Sequence, residues 1–228
     1  MPYPRLTKCM PDESRYNPFH TLHKALRFGQ CGMLSELGAQ DFRDDAATGR
    51  LLLRLVQQLD LHRVLAEARQ EALLGALAAR GLEAAAATCH DHVSHLTALA
   101  ELESLVRAVN VAAPQRRRLA GRSIYRCYAL YVAADMTRMD EEETLLLTCL
   151  HQTLTDEELR GIEGRTFDLL PPDHLQILIR LLPASLATVE LELLLGVLQR
   201  HMDPAVYPTA VDQFIRPLMT PGSSSAAA

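Results

Sequence analysis

Charged and imidazole side chains interrupt the apolar stripes of several segments that have helical periodicity. An unpaired charge in a protein interior is costly, so each of these side chains must be paired, bound to a metal ion or neutralised. Histidines and carboxylates that face one another from neighbouring helices form the ligand sets of two-metal sites. The residues concerned are His23, His62, Arg69, His92, Arg138 and Glu142. The sequence therefore offers two kinds of chemistry, a metal site or a buried set of ion pairs.

A histidine on an apolar stripe has a simpler explanation when it is taken alone. His23 by itself is more often a hydrogen-bonded residue at the edge of the core than a metal ligand. Histidines near predicted helix ends, such as His151 and His201, have capping or solvated roles. The acidic run 140–143 contributes at most Glu142 to the interior, because adjacent helical positions point in different directions.

Helical spacing of apolar residues extends over most of the chain. The 228 residues are 48% hydrophobic but only 5% aromatic, and the apolar residues are mostly Leu and Ala, which are strong helix formers. Start and stop signals predict four long helices, over 18–38, 50–81, 83–110 and 118–151. We therefore predict an all-α fold, namely an antiparallel four-helix bundle with additional C-terminal helices.

The predicted helices divide the chain into four regions. These are an N-terminal segment 1–16, the bundle 17–153, a helical extension 154–219 and a tail 220–228, which we expect to be disordered. A capping box at Thr155 and Glu158 opens the extension. The helices predicted within it are 156–169, a brief one that ends at Leu182, and 186–202, separated by prolines.

Composition and motifs argue against several classes of function. A net charge of −5 gives no broad attraction for phosphate backbones, and we expect the basic run of Arg116 to Arg118, with Arg122 and Arg126, to be solvated. The Gly-rich turns of NTPases and dinucleotide enzymes and the nucleophile elbow of hydrolases are absent. We read Cys89 and His90 as neighbours without a catalytic role.

The spacing of the cysteines and the length of the apolar segments predict the cellular location of the protein and the classes of partner. Five cysteines at irregular spacings match neither a disulfide framework nor a metal knuckle, so we interpret them as reduced thiols. The N-terminal residues contain no hydrophobic leader, and no run is long enough to span a membrane. We therefore expect a cytoplasmic protein with no nucleic-acid or membrane partner, and a protein partner is left open.

Short motifs in a particular order carry a family resemblance. They are HKALR from His23, DH ending at His92, MDEEE from Met139 and LTDEEL from Leu154. Together they resemble the hemerythrin-like proteins, specifically the bacterial type in which an HHE cation-binding domain carries a helical C-terminal extension. The resemblance covers about residues 17–165.

The resemblance implies a pair of non-heme iron ions, or another metal pair, held between four helices. Family members use a His on the first helix, His-x-x-x-Glu on the second, His on the third and His-x-x-x-Glu on the fourth. The matching residues here are His23, His92 and Glu142. Leu65 and Arg69 stand where the second-helix His and Glu belong, and Arg138 stands where the fourth-helix His belongs. Half of the implied ligand set is therefore replaced.

Two of the replacements carry a fixed positive charge. A guanidinium group stays protonated, with a pKa above about 12, and it would repel a divalent cation at about 4 Å by several kcal/mol. We therefore expect Arg69 and Arg138 to take the place of the metal ions. Their charge-assisted hydrogen bonds would have Glu142 and Asp135 as acceptors.

A shifted metal site is the geometrical alternative. His62 lies one turn before Leu65, and His95 lies nearly one turn after His92. A site that uses His62 as a substitute, with His23, His92 and Glu142, is therefore conceivable.

The preferred function is that of a degenerate hemerythrin-like protein, a non-enzymatic binding or regulatory module that acts through protein contacts and holds no cofactor. The alternative is a functional non-heme di-iron protein that senses or handles oxygen, nitric oxide or iron. A third hypothesis is oligomer scaffolding through the extension.

Overall fold

The computed structural model describes residues 11–81, 92–205 and 207–210. Within these ranges every regular element is helical, which confirms the all-α prediction. The long helices are α1 (His20–Ala39), α2 (Asp45–Ala78), α3 (His92–Val111) and α4 (Pro114–Glu141). The predicted N-terminal segment up to residue 10, the Cys89–His90 pair and the tail 220–228 lie outside the described residues.

Local signals explain where the long helices begin and end. The Asn17 side chain accepts a hydrogen bond from the Phe19 amide at 2.9 Å, an Asx turn that delays the start of α1 beyond the predicted residue 18. Asp44 caps α2 by accepting from the Ala47 amide at 2.9 Å. Gly81, with a φ of 67°, adopts the left-handed conformation shortly after α2 ends.

The start of α4 differs from the prediction. The sequence predicts a break at Pro114 and a helix that begins at residue 118, whereas Pro114 is the first residue of α4. A proline suits this position because the amide of the first helical residue has no hydrogen-bond acceptor within the helix.

The end of α4 also differs from the prediction. The spacing predicts a continuous helix to residue 151, but α4 runs into a π-helical segment, Glu142–Leu146, which is followed by α5 (Leu147–Thr153). A π segment inserts an extra residue into the helical register, so the side chains on its two sides face different directions than in an uninterrupted helix.

Shorter helices form the rest of the chain. They are α6 (Asp156–Asp168), α7 (Pro172–Ser185), α8 (Thr188–His201) and α9 (Tyr207–Ala210). The capping box at the start of α6 is present, because Thr155 Oγ1 accepts from the Glu158 amide while Glu158 accepts from the Thr155 amide. Helix α7 continues through Pro183 rather than ending at Leu182.

The four long helices are neighbours in a closed ring. Helix α1 packs against α2, α2 against α3, α3 against α4, and α4 against α1. The shorter helices lie on the α1–α2 side of this ring, where α6 and α7 both contact α2 and α7 also contacts α1. Polar contacts reinforce this packing, since His20 Nε2 and Lys24 Nζ reach the Glu190 carboxylate at 2.8 and 2.6 Å.

Close contacts with neighbouring residues explain two glycines. A Cβ atom at Gly121 of α4 would overlap the Phe42 ring, and one at Gly164 of α6 would overlap the Cβ atom of His201 at the end of α8. Glycine therefore allows α6 and α8 to pack tightly. None of the described helices has the length and apolar character that a membrane span requires.

Candidate functional site

A layer of polar side chains lies between apolar clusters inside the ring of long helices. On α2, His62 and Arg69 are flanked by Leu59 of one cluster and Leu73 of another. The same order recurs on α1 with the residues before it and on α4 with the segment that follows it, so their polar residues are stacked at a common level. We call this set the polar layer, and its members are His23, Arg27, Gln30, His62, Arg69, His95, Tyr131, Asp135, Arg138, Glu142 and Glu143.

Arg69 extends from α2 to residues on two other elements. Its Nη2 donates to Glu142 Oε1 at 2.8 Å, and its Nη1 lies 2.7 Å from Glu142 Oε2. The same Nη1 lies 2.9 Å from Nε2 of His23 on α1. The guanidinium also lies over the Phe19 ring, 5.8 Å from the centroid. Arg69 thus forms a two-pronged ion pair and is covered by an aromatic ring.

Arg138 joins two carboxylates of its own helical segment. Its Nη1 donates to Glu142 Oε1 at 2.6 Å, while its Nε and Nη2 donate to Asp135 Oδ1 at 2.9 and 2.6 Å. The three residues are spaced i, i+3 and i+7, which places them on one face of a helix. Glu142 therefore lies between two guanidinium groups.

His23 connects this ion pair to a further carboxylate. The imidazole is fully buried, and its Nδ1 lies 2.8 Å from Glu143 Oε1. A carboxylate only accepts hydrogen bonds, so Nδ1 donates to Glu143, while Nε2 lies 2.9 Å from Arg69 Nη1 and 3.0 Å from Glu142 Oε2. Arg27 Nη2 pairs with the same Glu143 oxygen at 2.8 Å.

The inward orientation of Glu143 corrects the prediction that only Glu142 of the acidic run faces the interior. Both residues belong to the π segment, where the extra residue per turn brings two consecutive side chains to the same histidine. His23 Nε2 lies 3.0 Å from Glu142 Oε2 while its Nδ1 contacts Glu143. Nothing in the helical spacing of the sequence signals this local change of register.

Asp135 is the centre of a more deeply buried group. Its Oδ2 accepts from Gln30 Nε2 at 2.6 Å, and its Oδ1 lies 3.3 Å from His95 Nδ1. His62 Nδ1 lies 3.7 Å from Asp135 Oδ2 and 3.0 Å from the Tyr131 hydroxyl. Residues of all four long helices therefore meet at this carboxylate.

Burial and the neighbouring charges act in opposite directions on the pKa values of these groups. Burial alone would raise the pKa of Glu142, but the charges of Arg69 and Arg138 and the hydrogen bond with His23 lower it to about 2. Asp135 behaves in the same way, since contacts with His95 and Arg138 outweigh burial and hold its pKa well below the ordinary value. Burial lowers the pKa of His62 to about 4, despite the nearby Asp135. The layer thus contains ionised carboxylates and a neutral His62.

The residues of the layer fit ion pairs better than a metal pair. A metal ion would need access to Nε2 of His23, but the Arg69 guanidinium already lies 2.9 Å from this atom. Leu65, at the position of an implied histidine ligand, is 3% exposed and belongs to an apolar cluster. Among the described residues, no three His, Cys, Asp or Glu side chains are placed so that they could hold a metal ion.

The structure separates the residues of the alternative metal set. His62 contacts Asp135 and Tyr131, whereas Glu142 contacts the two arginines and His23. His92 is the first residue of α3, and its side chain lies outside the described part of the structure. The shifted site built on His62 thus has no support from the contacts that the structure describes.

Sequence reasoning missed some members of the layer that a signal could have revealed. Gln30 lies seven residues after His23, with Leu26 and Met33 on the same stripe, so its burial was predictable from spacing. His95 is predicted only in connection with the shifted metal site, because its contact with Asp135 depends on how α3 packs against α4.

A second buried carboxyl group lies apart from the polar layer. Glu163 of α6 is 1% exposed and accepts hydrogen bonds from the hydroxyl groups of Tyr16 and Thr21. Burial raises its pKa to about 7, and the two hydroxyls and the nearby His20 only partly offset this effect. This residue is not among the predicted site residues.

Comparisons of the chain with protein-family models, with curated proteins and with solved structures find no match. The resemblance to hemerythrin-like proteins therefore rests on the residues of this chain alone, and it serves below as part of a proposal.

Proposed function

We propose that the chain is a hemerythrin-like antiparallel four-helix bundle in which ion pairs replace the metal site, and that it is a non-enzymatic binding or regulatory module. The observation that carries this proposal is the position of Glu142, a family ligand position, between the guanidinium groups of Arg69 and Arg138. The closed ring of long helices and the docked shorter helices support the proposed architecture.

The charges of the polar layer support a site without metal. Arg27, Arg69 and Arg138 are matched by Asp135, Glu142 and Glu143, each of which contacts at least one of these arginines. A divalent ion would add positive charge to a set that is already balanced, and it would have to displace guanidinium groups that stay protonated. The ion pairs of the layer therefore join the helices, in place of the metal–ligand bonds that join them in the family.

A binding role follows from the way the layer is used. Hydrogen bonds and ion pairs of its members join α1, α2, α4 and the π segment. Such a network fixes the relative positions of the helices, so it suits a rigid scaffold that presents its outer surfaces to a protein partner. We place this module in the cytoplasm, with no nucleic-acid or membrane partner.

Iron binding by the full-length chain tests the proposal. Purified protein is titrated anaerobically with ferrous salt, and bound metal is measured after gel filtration. We expect the wild-type chain to retain only traces of iron. Stoichiometric binding of an iron pair, with a charge-transfer absorption band that develops after the loaded protein is exposed to air, would overturn the proposal and support the alternative of a di-iron protein that senses or handles oxygen, nitric oxide or iron.

A restoring variant makes this experiment sharper. The triple change Leu65→His, Arg69→Glu and Arg138→His recreates the ligand set that the family resemblance implies. We expect this variant to bind more iron than the wild-type chain, because it removes both fixed cations and adds the missing ligands. Circular dichroism tests whether the variant folds. If it does not fold, the wild-type titration alone decides between the two functions.

A further inference from the structure

The outward face of α4 carries a regular stripe of exposed residues. Leu119, Ser123, Arg126 and Leu130 alternate at spacings of four and three residues, and all are exposed, with Leu119 at 62% and Leu130 at 71%. This spacing keeps side chains on one side of a helix and is the spacing by which two helices pack along a seam. We call these four residues the α4 seam.

Arginines without acidic partners surround the seam. Arg116, Arg118 and Arg122, together with Arg126 of the seam, are exposed, and the described part of the structure shows no carboxylate paired with any of them. Their neighbour Arg117 differs, because it is paired with Asp45. This concentration of unpaired positive charge stands out in a chain whose net charge is −5.

The seam is separate from the packed face of the same helix. Gly121 lies against the Phe42 ring, and Ile124 and Tyr128 are fully buried in an apolar cluster. The hydroxyl group of Ser123 donates to the Leu119 carbonyl of its own helix at 3.2 Å. The outward face therefore presents leucines and guanidinium groups to a partner.

We propose that the α4 seam binds one acidic amphipathic helix of a protein partner. This inference rests on the proposed function as a binding module and specifies the chemistry of the partner. Arg118, Arg122 and Arg126 recur every four residues, about 6 Å along the helix axis, which matches carboxylates at the same spacing on a second helix. Each guanidinium group can hold a carboxylate through two hydrogen bonds.

The arrangement favours a protein helix over a membrane surface. A helix that lies on a membrane buries a continuous apolar face, whereas the continuous apolar face of α4 is packed in the core and its exposed leucines are separated by Arg126. Leu119 and Leu130 instead suit the isolated leucines of one partner helix, with the arginines providing orientation and specificity.

A synthetic peptide provides the probe for this proposal. It is a helical peptide with Leu at spacings of three and four residues and Glu at every fourth position, labelled for fluorescence anisotropy with the full-length chain. A scrambled peptide of the same composition is the control. We expect the amphipathic peptide to bind more tightly than the scrambled one by about tenfold, with an affinity that falls as salt is added.

Variants of the chain identify the surface. The triple change Arg118→Glu, Arg122→Glu and Arg126→Glu should weaken binding by about tenfold or more. The matched control Arg43→Glu, Arg180→Glu and Arg200→Glu makes the same change in net charge at exposed arginines elsewhere and should leave affinity nearly unchanged. The double change Leu119→Ser and Leu130→Ser should weaken binding without altering its salt dependence.

Several results would overturn the inference. Equal binding of both peptides would show a charged surface without helix recognition, and equal loss in the two triple variants would show a general effect of net charge. Binding to phosphatidylglycerol vesicles but not to the peptide would show a membrane surface. The iron titration is independent, so a chain that binds both iron and peptide would overturn only the proposed replacement of the metal site.

Discussion

Two buried carboxyl groups, Glu142 and Glu163, respond to burial in opposite ways. The side chain of Glu142 is 17% exposed and lies between two guanidinium groups, and its pKa falls to about 2. Glu163 is 1% exposed and lies between two hydroxyl groups, and its pKa rises to about 7. Burial favours the neutral form of both, so the difference comes from their partners.

This contrast assigns different roles to the two regions. The polar layer of the long helices keeps its carboxylates ionised, and the resulting ion pairs hold α2 to the π segment through Arg69 and Glu142. The contact of α6 with α1 and the preceding segment depends on a carboxyl group that stays protonated up to a pH of about 7. The attachment of the shorter helices should therefore respond to pH near neutrality, whereas the polar layer should not.

The largest effect is expected from the change Arg138→Met, which removes a cation from both Asp135 and Glu142. Leaving buried carboxylates without this partner should lower the free energy of unfolding by about 3–5 kcal/mol. Urea unfolding at pH 7 measures the change. Arg107→Met, at an arginine whose side chain is 69% exposed, is the control and should change stability by less than about 1 kcal/mol. If Arg138→Met also lowered the free energy of unfolding by less than about 1 kcal/mol, the role of Arg138 as the partner of Asp135 and Glu142 would be contradicted.

The change Glu163→Gln tests the role of the carboxyl group whose pKa is raised. Because the folded-state pKa is raised from 4.5 to about 7, the folded chain keeps a proton that the unfolded chain releases. The stability contributed by protonated Glu163 is complete below pH 4.5 and is lost as pH rises through 7, by about 3 kcal/mol in total. The variant should lack this loss, so its stability relative to the wild-type chain should increase between pH 5 and pH 8.

Glu142→Gln is the matched control for that pH series. Since the pKa of Glu142 is lowered, its stabilising contribution is present above pH 4.5 and is lost as pH falls through about 2. This variant should therefore be less stable than the wild-type chain at pH 7, and the difference should narrow only in acid. If the stabilities of the two variants changed with pH in the same way, the partners of Glu142 and Glu163 would not determine the charge states of these carboxyl groups.

Much of the polar layer could be predicted because it follows helical spacing. His23, Arg69, Arg138 and Glu142 all interrupt apolar stripes, and the structure brings these four side chains into contact. That they take the place of a metal pair remains a prediction. The all-α fold could also be predicted, because Leu- and Ala-rich periodicity is a strong signal over long segments.

The parts that could not be predicted depend on changes of register and on long-range packing. Glu143 faces His23 because of the π segment, which no pattern of residues announces. Glu163 lies four residues after Leu159, on the inner stripe of α6, so its burial was accessible from spacing. Its partners Tyr16 and Thr21 were not, because they come from a distant part of the chain.

A moderate effect is expected from Gly164→Ala, at the residue that follows Glu163. The added methyl group would overlap the Cβ atom of His201, and forcing α6 and α8 apart should cost about 1–3 kcal/mol. Gly196→Ala on α8 is the control, since no atom lies within 4 Å of its Cβ position. That variant should be unchanged or more stable by up to about 1 kcal/mol. Thermal unfolding compares the two, and equal stabilities would show that α6 and α8 are not closely packed.

The smallest effect, and the most direct probe of the contrast, is expected from Tyr16→Phe. The ring is retained, with its packing against Arg160 at 4.8 Å, and only the hydroxyl that donates to Glu163 is lost. The loss should cost about 1 kcal/mol. Because that hydroxyl lowers the pKa of Glu163, its removal should move the loss of stability to higher pH. Urea unfolding across pH 5–9 measures the shift, and Tyr125→Phe, at a tyrosine that is 40% exposed, should not move it. A shift to lower pH would mean that hydroxyl donation does not set the charge of Glu163.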